Sequence, residues 1–230
     1  MSPEPVYRPA ELRSAYQLRY GWTGWPSQSP FPMDVLARAL PAVAPAWEKD
    51  GIRVLESSLS SAQIQLTLSA TPQVSPVVLA ARLKGRIQHY CRQQISPIDF
   101  SRKLAIRSLG DPTRAQVEAY IQNQVANEPL ADEGFREKLA FTVVNQDVDL
   151  SQPIESNSGR YWYNLHVVLV VRERYRMADV AALAKVRDTA VRICSKKGYA
   201  TSRVAVLPDH VHLALRGRSH TRLRRLRWRS

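Results

Sequence analysis

Apolar residues recur along this chain with two rhythms, a period of two and a period near 3.6, and the same succession of rhythms occurs twice. In the second half, Tyr161 to Val171 reads as a strand. Ala178 to Lys197 reads as an amphipathic helix with Val180, Leu183, Ala184, Val191 and Cys194 on one face, and Gly198 supplies its stop signal. Two β-rich runs follow, Thr201 to Leu207 and Val211 to Leu215, separated by the turn signal Pro208-Asp209. The first half has the same plan and then continues. Ser75 to Gln94 predicts a helix with Leu79, Leu83, Ile87 and Cys91 at steps of four, its other faces carrying Arg82, Lys84, Arg86 and Arg92. Lys103 to Leu109 fits a strand, Gly110-Asp111-Pro112 a turn, and Thr113 with Gln116 a capping box opening a last helix that runs to about Asn127. The first half is therefore βαββαβ plus a helix, which predicts an α+β fold with an antiparallel sheet covered by helices.

The repetition has a fixed offset of 147 residues: Tyr16 and Leu18 fall on Tyr163 and Leu165, Leu36 and Ala37 on Leu183 and Ala184, Gly51 on Gly198, Leu66 and Leu68 on Leu213 and Leu215. This predicts a duplicated unit. The first copy spans 1–128, a linker 129–160 with a short helix over Glu133 to Phe141, and a second copy 161–217 that stops after its third strand. Residues 218–230 form an Arg-rich tail.

Charge and composition narrow the class. The 230 residues carry 33 Lys and Arg against 20 Asp and Glu, a net charge of +13. Seven arginines within the last fifteen residues hold more than half of that excess, a pattern that suits phosphate contact or a merely solvated tail. The apolar runs Val77 to Ala81 and Val167 to Val171 are too short to span a bilayer, and the start Met1-Ser2-Pro3-Glu4-Pro5 lacks a secretory pattern. Cys91 and Cys194 stand without metal or redox spacing, so a reducing cytoplasm is the expected compartment.

The candidate chemistry begins at Pro208-Asp209-His210-Val211-His212-Leu213. Residues two apart on a strand share a face, so both imidazoles can point the same way and hold one divalent ion; two strand histidines can equally be ordinary polar groups. The segment Leu207 to Leu215 closely resembles the motif of the single-tyrosine HUH transposases, the group that includes the REP-associated tyrosine transposases. Two further elements resemble that family but lie in the first copy: Leu83-Lys84-Gly85 on the basic helix, and Tyr120-Ile121-Gln122-Asn123-Gln124, similar to its Tyr-Ile-x-x-Gln signature.

The resemblance implies two ferredoxin-like units in tandem, the second incomplete. It implies Tyr120 as a nucleophile toward DNA, and His210, His212 and Gln124 as ligands of Mg²⁺ or Mn²⁺. By the offset, His210 and His212 fall on Gln63 and Gln65, so one copy has the tyrosine without the histidines and the other the reverse. The expected site is a composite of both copies, a pseudo-dimer within the chain, with a homodimer as the other way to assemble it.

Chemistry accounts for these residue types. A phenol, with a pKa near ~10, is a weak nucleophile at neutral pH and gains from a nearby cation. Imidazoles and a carboxamide oxygen leave open positions on a divalent ion where a phosphate can be polarised. Tyr120 and Gln124 are four apart and share a helix face. The plainer reading is that Tyr120 borders an apolar stripe of Val117, Ile121 and Val125 as a half-buried aromatic.

Arg82, Lys84, Arg86 and Arg92 are the candidates for DNA-backbone contact, against a solvated basic face. His89 and Tyr90 fit core or base stacking, His166 a satisfied strand residue, and His220 carries no signal. The expected function is metal-dependent cleavage and joining of single-stranded or hairpin DNA through a phosphotyrosine. The alternative is an inactive DNA-binding remnant; a functionless fragment is a third class.

Overall fold

The alternation Ile64-Gln65-Leu66-Thr67-Leu68 puts three apolar side chains on one face of a strand, and in the computed structural model these three are buried while Gln65 is exposed. The structure describes residues 18–110, 112–124, 142–157, 159–171, 173 and 175–218. These group into two compact units, 18–104 and 105–218.

In the first unit, β3 (Ile64–Ala70) lies between β2 (Ile52–Leu59) and β1 (Leu18–Pro26), antiparallel to both, and β4 (Phe100–Leu109) completes the order β2-β3-β1-β4. Helices α1 (Met33–Lys49) and α2 (Pro76–Gln93) fill the crossovers and pack against each other, giving the ferredoxin-like βαββαβ arrangement. Buried Leu36, Ala39, Val43 and Trp47 mark the inner face of α1; Leu79, Leu83, Ile87 and Cys91 mark that of α2. Ser75 caps α2 by accepting from the Val78 N–H.

The second unit begins within β4 and holds α3 (Arg114–Gln122), β5 (Thr142–Val144), β6 (Ile154–Ser156), β7 (Gly159–Trp162), β8 (Asn164–Val170), α4 (Val180–Lys196), β9 (Ala200–Val206) and β10 (His210–Arg216). Its main sheet has the order β5-β9-β10-β8, and β7 pairs with the end of β4 and with β6. The run β8-α4-β9-β10 repeats β1-α1-β2-β3, and no second crossover helix or fourth strand follows β10 among the described residues. The fold is α+β, with two ferredoxin-like units, of which the second has, among the described residues, only the first three strands and first helix of that arrangement.

The repeat holds at the level of register. Helices α1 and α4 each have 17 residues and begin at Met33 and Val180, 147 apart. Gly51 and Gly198 follow them with φ of 79° and 67°, a left-handed turn that favours glycine, and each donates its N–H to the carbonyl three residues back. Ser57 faces Leu66 as Val204 faces Leu213, and the irregularity that skips Leu55 on β2 recurs at Ser202 on β9.

Only the first strand departs from the constant offset. Trp22 faces Leu66 while Val167 faces Leu213, so β1 and β8 correspond at 145, and the counterpart of Leu165 is Tyr20, not Leu18. A slip of two keeps every side chain on its face, so the hydrophobic pattern cannot detect it. Tyr16 lies outside the described residues.

Other expectations shift as well. The segment read as a linker supplies β5, which pairs with β9, and β6, and it buries Leu150. Strands of three or four residues are too short to show alternation. The run read as one strand from Tyr161 is broken between β7 and β8. The helix expected to reach Asn127 ends at Gln122, and residues 125–141, including the expected helix over Glu133 to Phe141, lie outside the described residues, as do 219–230 of the tail. Among the described residues no helix is long and apolar enough to cross a membrane.

Candidate active site

The two faces of the β10 sheet are sorted by sequence parity. Val211, Leu213 and Leu215 join Val204, Val206, Leu183, Ala190 and Cys194 in the core under α4. His210, His212 and Ala214 therefore share the opposite face. There Ala205, Leu207 and Ala214 form a second apolar patch with Leu150, and Ile121 of α3 is fully buried against it. The helix expected in the first copy, 1–128, thus packs inside the second unit, which begins at Ala105. The capping box expected from Thr113 and Gln116 is present and fixes its start, and Arg114 pairs with Asp149 at 3.2 Å.

This packing sets Tyr120 beside the histidines. With Ile121 turned into the patch, the Tyr120 ring is 49% exposed and meets His212 edge-on, centroids 5.4 Å apart, and His166 at 6.0 Å. His210 and His212 are 4.7 Å apart, ring to ring. Gln124 is buried, and its Nε2 donates to the Tyr120 carbonyl at 3.2 Å. Tyr120, Gln124, His210 and His212 all belong to the second unit of one chain.

The environment of the imidazoles is specific. His212 is 3% exposed, and its Nε2 is buried without a hydrogen-bond partner. Burial first, then the neighbouring His210 and His166, push its pKa down to about 4, so it is neutral at physiological pH. Burial also lowers the pKa of His166, whose Nε2 lies 2.9 Å from His212 Nδ1. The His210 Nδ1–H donates to the buried carboxylate of Asp209. Two imidazoles, one with an unpartnered buried nitrogen, suit a divalent cation in donor chemistry, while the hydrogen bond of Gln124 is to its own helix turn. Among the described residues no three His, Cys, Asp or Glu side chains converge in a metal-holding group.

Two contributors were not picked out from sequence. His166 reads as a strand residue because its neighbours alternate apolar, yet that alternation places it on the His212 face. Asp209 reads as a turn residue, and its burial beside His210 is a tertiary fact.

The four basic candidates lie in the other unit and are engaged there. Arg86 reaches Asp50 at 2.9 Å and Arg82 reaches it at 3.8 Å. Lys84 donates to the Ser101 carbonyl at 2.6 Å and lies over the Phe100 ring, and burial lowers its pKa. Arg92 donates to the Gln88 carbonyl at 3.3 Å. His89 contacts Gln93. The Leu83-Lys84-Gly85 element is thus a packed lysine beside a buried leucine. Of the tail, Arg218 alone is described, its guanidinium over Gly198.

Residues 160–226 match the family described as Transposase IS200 like. The matched stretch contains His210 and His212 and runs into the Arg-rich tail, past the Gly217 boundary expected from sequence; Tyr120 and Gln124 fall outside it. No curated protein matches the chain significantly. Among solved structures, a candidate transposase from Deinococcus radiodurans is similar at 20% identity over 54% of this chain and 98% of its own, with a TM-score of 0.33.

Proposed function

We propose that this protein cleaves and rejoins single-stranded or hairpin DNA, with Tyr120 as the nucleophile. One observation carries the reading: a half-exposed tyrosine held edge-on to His212, whose Nε2 is buried and unpartnered, on the strand that matches an IS200-like transposase. In the cleavage step the Tyr120 oxygen attacks the scissile phosphorus. A phosphotyrosine bond to the 5′ side forms, the bond from phosphorus to the 3′ oxygen breaks, and the proton lost by the phenol is balanced by the one the 3′ hydroxyl takes up. Joining is the reverse, with a 3′ hydroxyl attacking and Tyr120 leaving.

His210 and His212, through Nε2, and Gln124, through its carboxamide oxygen, are the residues that would hold Mg²⁺ or Mn²⁺, which when bound would neutralise charge on the phosphate. Neutral His212 keeps a lone pair for that purpose. Ile121 and the capping box fix the helix, so the phenol is oriented before DNA arrives. Arg82, Arg86 and Arg92 keep unused guanidinium N–H groups for phosphate contact, whereas Lys84 would have to leave the Ser101 carbonyl to present its ammonium fully.

Labelled hairpin DNA incubated with the protein and Mn²⁺ should give a denaturation-resistant protein–DNA adduct. Tyr120→Phe and His212→Ala should each abolish it. DNA bound without any adduct overturns the catalytic reading and assigns the binding-remnant role instead.

A further inference from the structure

A neutral imidazole carries one N–H and one lone pair, so His212 can offer Nε2 to a cation only if its proton sits on Nδ1. That nitrogen faces His166 Nε2 at 2.9 Å, with the two rings nearly parallel at 24° and 5.1 Å between centroids. His166 is on β8 opposite Ala214, and His212 is opposite Val168, so the two histidines form a diagonal cross-strand pair on one face. His210 is held in the same manner, its Nδ1–H donating to Asp209. Both histidines of the motif therefore have Nδ1 engaged by a neighbour and Nε2 left over.

The first unit supplies an internal control. At the register position of His212 it has Gln65, and opposite Thr67, the counterpart of Ala214, β1 has Gly21 where β8 has His166. The motif histidine and its diagonal partner are absent together.

We infer that His166 is a positioning residue: its Nε2 accepts from the Nδ1–H of His212, fixing the tautomer and ring plane that present Nε2 to a divalent cation. The inference rests on the metal-holding role proposed for His212. A partner of this kind changes metal affinity by about 10–100-fold when removed. It is chemically replaceable, because a glutamine carbonyl oxygen can accept the same hydrogen bond.

The test uses the full chain and Mn²⁺ alone, with affinity read by calorimetry, and ¹⁵N imidazole spectra of His212 recorded without metal. His166→Leu should weaken Mn²⁺ binding at least about 10-fold and His166→Gln should restore it to within a few-fold. The wild-type spectrum should show the proton on Nδ1, and His166→Leu should change that pattern. Unchanged Mn²⁺ affinity in His166→Leu, or a wild-type proton on Nε2, overturns the inference. If the wild type binds no Mn²⁺, the metal reading of the site fails, and the spectra still decide whether His166 sets the tautomer.

Discussion

The outer faces of the two sheets carry the same register and opposite chemistry. In the first unit Ser58, Ser60, Gln65 and Thr67 occupy the positions that Ala205, Leu207, His212 and Ala214 occupy in the second. Ser58, Ser60 and Gln65 are exposed; all four residues of the second set are buried. A polar outer face needs no cover, whereas an apolar one must bury itself, and α3 supplies Ile121, with Val117 packed beside it, for that purpose. The position of Tyr120 follows from this difference, since the helix goes where its apolar stripe finds a partner. At matching register positions the first unit thus has Ser58, Ser60 and Thr67 where the second has the apolar Ala205, Leu207 and Ala214 beneath a helix.

The comparison breaks most severely when the second face is given the first face's chemistry. Leu207→Ser removes a buried side chain from the patch under α3 and leaves a hydroxyl there, at a cost of about 3 kcal/mol. Denaturant titration should show this loss in the transition of the second unit. The edge-on contact of Tyr120 with His212 should loosen, and the DNA adduct should decline with it. A variant as stable as the wild type would mean that the patch does not hold α3.

A milder contrast lies at the paired glycines. Both have positive φ, so alanine is strained at either position by about 1 kcal/mol. A Cβ at Gly51 would meet Thr71 Oγ1 at 2.6 Å and Cγ2 at 3.2 Å, on a short branched side chain with little room to turn. At Gly198 it would meet the guanidinium of Arg218 at 2.4 Å, the far end of a flexible side chain. Gly51→Ala should therefore lower stability by about 2 kcal/mol and Gly198→Ala by about 1 kcal/mol. Equal losses would show that the backbone strain dominates and the Thr71 contact counts for nothing.

These contrasts also mark what could be read in the chain beforehand. The order of elements, the Thr113 capping box and the stop at Gly198 are local signals, and local signals survive folding. The offset of 147 was legible because helix lengths, the glycine turn and even the strand irregularity obey it. His210 and His212 share a strand face by spacing, and the resemblance of Leu207 to Leu215 to a transposase motif is what singles them out. What was not read is how faces pair. The apolar substitutions at 205, 207 and 214 were in plain view, but their meaning, a second helix-bearing face, depends on which residues are opposite them. The same holds for His166, whose role exists only through its diagonal neighbour. For the basic helix α2 the charge was legible, and the partners Asp50 and Ser101 were not, because they come from distant parts of the first unit.

The smallest effect should come from the position where the first unit differs most from the second in chemistry. Gln65 is exposed, and β3 presents it on a face lined by Ser58 and Thr23 as its cross-strand neighbours. Gln65→Ala removes no buried contact, so its effect on stability should stay within about 0.5 kcal/mol. It belongs to the unit without Tyr120, so the DNA adduct should form at the wild-type level. His212→Ala, the same substitution at the same register position of the other copy, should abolish the adduct. Loss of the adduct in Gln65→Ala would place chemistry on the first face and undo the contrast between the two sheets.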